Sequence, residues 1–98
     1  MTAFNVVKFK VKSGSEAAFL AAHSGGGAQW PGLQRAALIK TGERDFCLIA
    51  EWTNAEAIVA ARPAMIATLD TFRAMLDDLG EGRGTTDAVS GAVVLNIK

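Results

Sequence analysis

Residues 46–52 read Phe-Cys-Leu-Ile-Ala-Glu-Trp, a run that is apolar on both sides of an extended chain. Successive side chains of a strand point to opposite faces, so the four even-numbered residues share one face and Cys47 and Ile49 share the other. An antiparallel sheet with helices on one face and water on the other alternates cleanly between apolar and polar residues. The run therefore predicts a central strand that is covered on both faces, by helices on one side and by a second copy of the chain on the other.

The elements before this strand follow from local patterns. Alternation from Phe4 to Lys12 indicates a first strand. Ser13-Gly14-Ser15-Glu16 matches a capping box and predicts a helix of about three turns, which the glycines at 25–27 end. The runs 33–40 and 45–52 are joined by Thr41-Gly42-Glu43-Arg44, which predicts a hairpin.

A second helical region is predicted from the capping pattern Thr53-Asn54-Ala55-Glu56, with an interruption near Arg62-Pro63 because proline lacks an amide hydrogen. Beyond it, apolar residues at spacings of three and four predict a long helix that Gly80 ends. Its stripe faces the sheet and consists of Met65, Leu69, Phe72, Leu76 and Leu79. Residues 81–90 are predicted as a loop and residues 92–97 as the last strand.

This order predicts one domain over residues 1–98 of the α+β class, with the ferredoxin-like βαββαβ topology. Right-handed crossovers place the first and third strands in the centre of a four-stranded antiparallel sheet and both helices on one face. The last strand is also apolar on both sides. The prediction is a homodimer whose two sheets close into a dimeric α+β barrel.

The amino-acid composition limits the classes of partner that the chain is expected to bind. Half of the 98 residues are hydrophobic, and ten basic residues balance ten acidic ones. Without a basic field, neither a nucleic acid nor a membrane is an expected partner. A single cysteine, Cys47, forms no internal disulfide, and the first residues lack the pattern of a secretory leader. We therefore expect a cytoplasmic protein.

The chain resembles the antibiotic biosynthesis monooxygenase (ABM) family over nearly its whole length. The resembling stretches are Val11-Lys12-Ser13-Gly14-Ser15-Glu16 with Phe19, Trp30-Pro31-Gly32-Leu33, and Ala50-Glu51-Trp52-Thr53-Asn54-Ala55-Glu56-Ala57, the last being the most distinctive. The resemblance implies a homodimeric barrel. It also implies either oxygenation of polycyclic phenols without a metal or flavin, or degradation of haem.

Two departures bear on the reaction. The phenol-oxygenating members use tyrosines, and this chain has none. The haem-degrading members use a histidine on the second helical region, whereas His23 ends the first helix, so haem degradation is disfavoured. The expected function is binding of a small aromatic or polyketide-like molecule and, if the chain is an enzyme, cofactor-independent monooxygenation, with no cofactor and no metal. The alternatives are a non-catalytic dimeric metabolite-binding or assembly protein and an isomerase or lactone-processing enzyme on the same barrel.

Three residues are the candidates for catalysis. Asn5 lies among apolar neighbours, where its amide either orients a ligand hydroxyl or satisfies a backbone group. Trp52 either forms the wall of a pocket for a flat ligand or is simply core. His23 could act as a base, since imidazole exchanges protons near neutral pH, or could favour the helix C-terminus electrostatically.

Four further residues are candidates for substrate binding. Trp30, beside the glycines, either covers a pocket as a lid or lies in a merely flexible loop. Phe19 and Phe72 could line the pocket or fill it. Glu51 could contribute a polar group to a cleft or form a structural ion pair with Arg35 at a dimer interface, and the ion pair is favoured.

Overall fold

The computed structural model describes residues 1–23, 30–80 and 84–98. Its elements are β1 (Ala3–Val11), α1 (Glu16–His23), β2 (Leu33–Lys40), β3 (Asp45–Trp52), α2 (Ala55–Phe72), β4 (Leu76–Asp77) and β5 (Thr86–Ala92), with a 3-10 turn at Arg73–Met75. The predicted bounds of the central hairpin, β2 and β3, are confirmed. Helix α1 has eight residues, about two turns instead of the predicted three, and the glycines predicted to end it lie outside the described residues.

The sheet has β1 and β3 in its centre, as predicted, and all of its pairings are antiparallel. β2 lies on the outer side of β3. The outer side of β1 is shared by two strands, since β4 pairs with Lys10 and Val11 and β5 pairs with the residues from Ala3 to Phe9. The fold is therefore α+β and ferredoxin-like, but two short strands occupy the fourth position and the sheet has five strands.

Both helices cover the same face of the sheet. The register pairs Ala3 with Trp52 and Phe9 with Phe46, which puts the odd-numbered side chains of β1 on one face with the even-numbered side chains of β3. Phe19 of α1 and Phe72 of α2 both contact Phe9 edge-on, with ring centroids 5.6 and 5.9 Å away. Burial of each such ring stabilises the fold by roughly 1.5–3 kcal/mol.

Helix α2 differs from its prediction at its start and in its middle. Asn54, not Thr53, is the N-cap, and its Oδ1 accepts a hydrogen bond of 2.8 Å from the amide of Ala57. The helix then continues through Pro63 without the predicted interruption. Pro63 and Val59, whose carbonyl loses its usual partner, are both exposed, so water can replace the missing hydrogen bond.

The predicted end of α2 is wrong. The helix stops at Phe72, and Leu76 lies in β4, where it pairs with Val11 and is 3% exposed. Leu79 borders a small hollow with Lys8 and Cys47 instead of continuing a helical stripe. A two-residue strand is too short to show a period of its own, so its leucine extended the helical spacing by coincidence.

The last strand lies earlier than predicted, at Thr86–Ala92, and residues 93–98 form no strand. Because β5 runs antiparallel to β1 and pairs Ala92 with Ala3, the chain beyond Ala92 has already passed the start of β1. One backbone hydrogen bond remains there, from the amide of Val93 to the carbonyl of Thr2 at 2.7 Å. Val94 and Ile97 are consequently 90% and 93% exposed.

The face of the sheet without helices carries apolar side chains, as the sequence predicts. Phe4 is 38% exposed, Ile39 43% and Val89 65% in the single chain, and all three lie in register on that face. Within the described parts of the chain, no helix has both the length and the apolar character needed to span a membrane.

Candidate functional site

A cleft of about 870 Å³ lies between the helix-covered face of the sheet and α2. Its size falls within the range of about 300–1,000 Å³ typical of small-molecule sites. β1 and β3 form its floor through Asn5, Val7, Leu48, Ala50 and Trp52, and α2 forms its wall. Most of the lining is therefore aliphatic or aromatic, with a few polar groups whose placement decides what the cleft can bind.

Asn5 and Trp52 form a hydrogen-bonded pair in the floor. Trp52 Nε1 donates to Asn5 Oδ1 at 2.7 Å, and the two residues are 0% and 5% exposed. An indole N–H can only donate, so the amide oxygen of Asn5 must face it and the amide NH₂ must point elsewhere. No described residue accepts from this NH₂, yet no fully buried polar atom in the described chain lacks a partner. The NH₂ therefore opens into the cleft, as a donor fixed in direction by Trp52.

Trp30 stacks on Trp52, with parallel rings at 5° and centroids 6.2 Å apart. A tight turn positions it, because the amide of Leu33 donates to the carbonyl of Trp30 at 3.1 Å. Gly32 in this turn has φ +88°, and a Cβ built on it would lie 2.6 Å from the Cβ of Ala57. The close approach of the turn to α2 thus requires glycine and holds Trp30 at the end of the cleft.

His23 lines the cleft from the last residue of α1. Its Nδ1 lies 2.8 Å from the carbonyl oxygen of Phe19, and since that oxygen can only accept, Nδ1 must carry the proton. The ring also packs against Phe19 and Phe72 at centroid distances of 4.5 and 4.6 Å. In the neutral imidazole, Nε2 consequently holds the lone pair and is the atom able to accept a proton.

Two of the four candidates for substrate binding line the cleft, and the other two lie elsewhere. Trp30 and Phe72 line the cleft. Phe19 is 0% exposed within the aromatic core and does not line it. Glu51 lies on the opposite face of β3, paired in register with Arg35, and does not line the cleft either. The three ion pairs found among the described residues do not include the favoured pair of Arg35 and Glu51.

Sequence reasoning missed Arg62, which lines the cleft from α2. The signal was its spacing, since it lies four residues after Ile58 and three before Met65, both on the same wall. The described residues contain no group of three or more His, Cys, Asp or Glu side chains able to hold a metal ion.

The arrangement resembles solved structures over the whole chain. SnoaB from Streptomyces nogalater, described as a cofactor-independent oxygenase, is 19% identical, with 98% of this chain and 96% of that chain covered and a TM-score of 0.70. A Bordetella bronchiseptica protein assigned to the antibiotic biosynthesis monooxygenases is 14% identical, with 96% and 98% covered and a TM-score of 0.75. The fold is that of the ABM structures.

A dimeric ferredoxin-like protein from an uncultured marine organism also has this fold, at 13% identity, 99% and 91% coverage and a TM-score of 0.73. No family model matches the chain, and no curated protein sequence does. At these identities the likeness establishes the ABM fold, and the reaction has to be argued from the site.

Proposed function

We propose that the chain binds a flat aromatic or polyketide-like molecule in the cleft and oxygenates it without a metal or an organic cofactor. The observation that carries the proposal is the buried Trp52, which fixes the amide of Asn5 as a directed N–H donor and supports the stacked ring of Trp30 in an apolar cleft. SnoaB, described as a cofactor-independent oxygenase, supplies a precedent on the same fold.

The pair supplies two interactions that a phenolic or quinol ligand needs. The half-buried indole of Trp30, backed by the buried ring of Trp52, offers a flat apolar surface for ring stacking, which contributes roughly 0.5–1.5 kcal/mol beyond area burial. The NH₂ of Asn5 donates to a ring oxygen and stabilises negative charge that develops there. Trp30 is held by its turn and by stacking on Trp52, and Asn5 is held by the sheet, so both need little reorganisation when the ligand binds.

His23 supplies the base in this proposal. Its Nε2 takes a proton from the ligand, because Nδ1 is committed to the carbonyl of Phe19. The resulting electron-rich anion gives electrons to dioxygen, the oxidant. At a phenol, one oxygen atom becomes the second C=O of a quinone, and the hydrogens lost from the hydroxyl and from that ring carbon leave with the second oxygen atom as water, so atoms and electrons balance.

Oxygen uptake with a panel of phenols and quinols tests the reaction, and quenching of tryptophan fluorescence measures binding in parallel. We expect His23→Gln to lower the rate of uptake about 100-fold or more, the range of general-base catalysis, while affinity stays within about threefold. Trp52→Ala should lose both. Exposed Val59, outside the cleft, gives the matched control Val59→Ala. Uptake no faster than a protein-free blank with every substrate would refute the oxygenase.

A non-catalytic ligand-binding protein is the second candidate. The contacts of His23 favour it, because one ring nitrogen is used by the carbonyl of Phe19 and the ring packs between two phenylalanines. Binding without oxygen consumption would identify it. An isomerase or lactone-processing enzyme needs a histidine or a carboxylate in the cleft, and the two candidates are His23 and Glu51. Only His23 lines the cleft, since Glu51 lies on the other face of the sheet.

We also propose that the chain forms a homodimer through the face of the sheet without helices. Phe4, Ile39 and Val89 expose apolar surface there, and a neighbour of the same fold is described as dimeric. Ile39→Lys should shift the protein toward monomer in light scattering, whereas Val59→Lys, an equivalent change on the outside of α2, should not. A wild-type monomer at micromolar concentration would contradict the proposal.

A further inference from the structure

The charges around the cleft have one sign. Arg62 and His23 are among its lining residues, and no aspartate or glutamate of the described chain is. Arg35 also borders the cleft, but it pairs in register with Glu51, so its side chain lies on the opposite face of the sheet. The chain as a whole carries ten acidic and ten basic residues. The equal numbers of acidic and basic residues in the whole chain are therefore not reflected at the cleft, where a bound anion would meet the guanidinium of Arg62 and no carboxylate of the described chain.

Arg62 is the cation best placed to meet such an anion. It lies on the wall of α2 with Ile58 one turn before it and Met65 one turn after it, and both neighbours line the cleft. The ion pairs found among the described residues occupy Lys40, Arg44 and Arg73, and leave Arg62 without a carboxylate. Its five N–H donors are thus available to a ligand.

Arg35 is less available. It lies on β2 beside a register shift, opposite Glu51 of β3. That carboxylate is on the neighbouring strand and partly offsets the arginine charge, whereas no acidic residue of the described chain lines the wall around Arg62. Arg62 is therefore the residue on which the charge preference of the cleft should depend.

We propose that the molecule bound in this cleft is an aromatic carboxylate. Arg62 binds the carboxylate, and the ring system of the ligand lies against the stacked pair of Trp30 and Trp52. The inference rests on the proposed function and narrows its ligand class from flat aromatics in general to anionic ones. Guanidinium and carboxylate match in geometry and can form two parallel hydrogen bonds.

Paired probes test the inference. Naphthoate and naphthamide have the same ring and differ in charge, and their dissociation constants can be measured by calorimetry. Wild-type protein should bind naphthoate about fivefold more tightly, the effect of one partly exposed charge pair. Arg62→Gln should bring the two constants within about twofold. Arg73→Gln removes the same charge from the end of α2, where Arg73 pairs with Asp70 outside the cleft, and should keep the preference.

The outcomes separate this inference from the proposed function. Equal binding of both probes by wild-type protein would overturn the charge preference and leave the aromatic site intact. A preference that survives Arg62→Gln, or that Arg73→Gln removes equally, would overturn the role of Arg62. Failure of both probes to bind at millimolar concentration would overturn the inference and the aromatic site together.

Discussion

Replacing Asn5 by leucine should lower the free energy of unfolding by about 2–4 kcal/mol. The change removes the acceptor of the 2.7 Å hydrogen bond from Trp52 Nε1. Since Trp52 is 0% exposed, its N–H would be left without a partner, which costs about 1–3 kcal/mol, and the net contribution of the hydrogen bond, about 1 kcal/mol, is lost as well. Leucine has the same branching and the same number of side-chain heavy atoms as asparagine and is the larger of the two, so the estimate does not depend on a new cavity.

A double-mutant cycle isolates the hydrogen bond from other effects. Trp52→Phe removes the donor, and the double variant Asn5→Leu with Trp52→Phe replaces both partners by apolar groups, which leaves no unsatisfied N–H. The loss of unfolding free energy in the double variant should therefore be about 1–2 kcal/mol smaller than the sum of the losses in the two single variants. Urea unfolding followed by circular dichroism gives all four values at one protomer concentration, because association makes stability depend on concentration. Additivity within about 0.3 kcal/mol would refute the pairing.

Five substitutions test the local structure by the same assay. Gly32→Ala should lower stability by about 2 kcal/mol or more, because it adds a steric contact to a positive φ. Gly14→Ala, at φ +84° with nothing within 4 Å, should lower it by only about 1 kcal/mol. Equal losses would contradict the close approach of Gly32 to α2. Asn54→Ala should cost about 1 kcal/mol and Thr53→Ala less than about 0.5, and the reverse order would contradict the N-cap. Pro63→Ala should stabilise the protein by about 1–3 kcal/mol by restoring a hydrogen bond in an unbroken helix, and no gain would indicate that the helix is interrupted there after all.

Most of the fold followed from periodicity, because long elements leave a clear pattern. β2 and β3 were bounded correctly by turn residues and alternation, and β1 within one residue. The region after Phe72 was not predictable in this way. β4 has two residues, and the position of β5 depends on which part of β1 is free to pair, a tertiary fact that no local pattern of residues 86–97 contains.

The candidate site was predicted in part for a related reason. Asn5 and Trp52 could be placed on the same face because strands alternate, and the register then brought them together. The aromatic ring of Phe19 makes it a candidate from the sequence, but only packing decides whether a ring lines a cleft or fills the core. Arg62 has no distinctive sequence signal, because an arginine on a helix is usually solvated, and its position at the cleft follows from how α2 lies on the sheet.

The central claim, an aromatic site floored by Asn5 and Trp52, can be observed atom by atom in NMR spectra of nitrogen-labelled protein titrated with naphthoate. The side-chain NH₂ of Asn5 and the indole N–H of Trp52 should shift together and saturate at the same ligand concentration. The amide of Asn96, which is exposed and outside the cleft, should stay unchanged. Binding of naphthoate that leaves the signals of Asn5 and Trp52 in place would contradict the account.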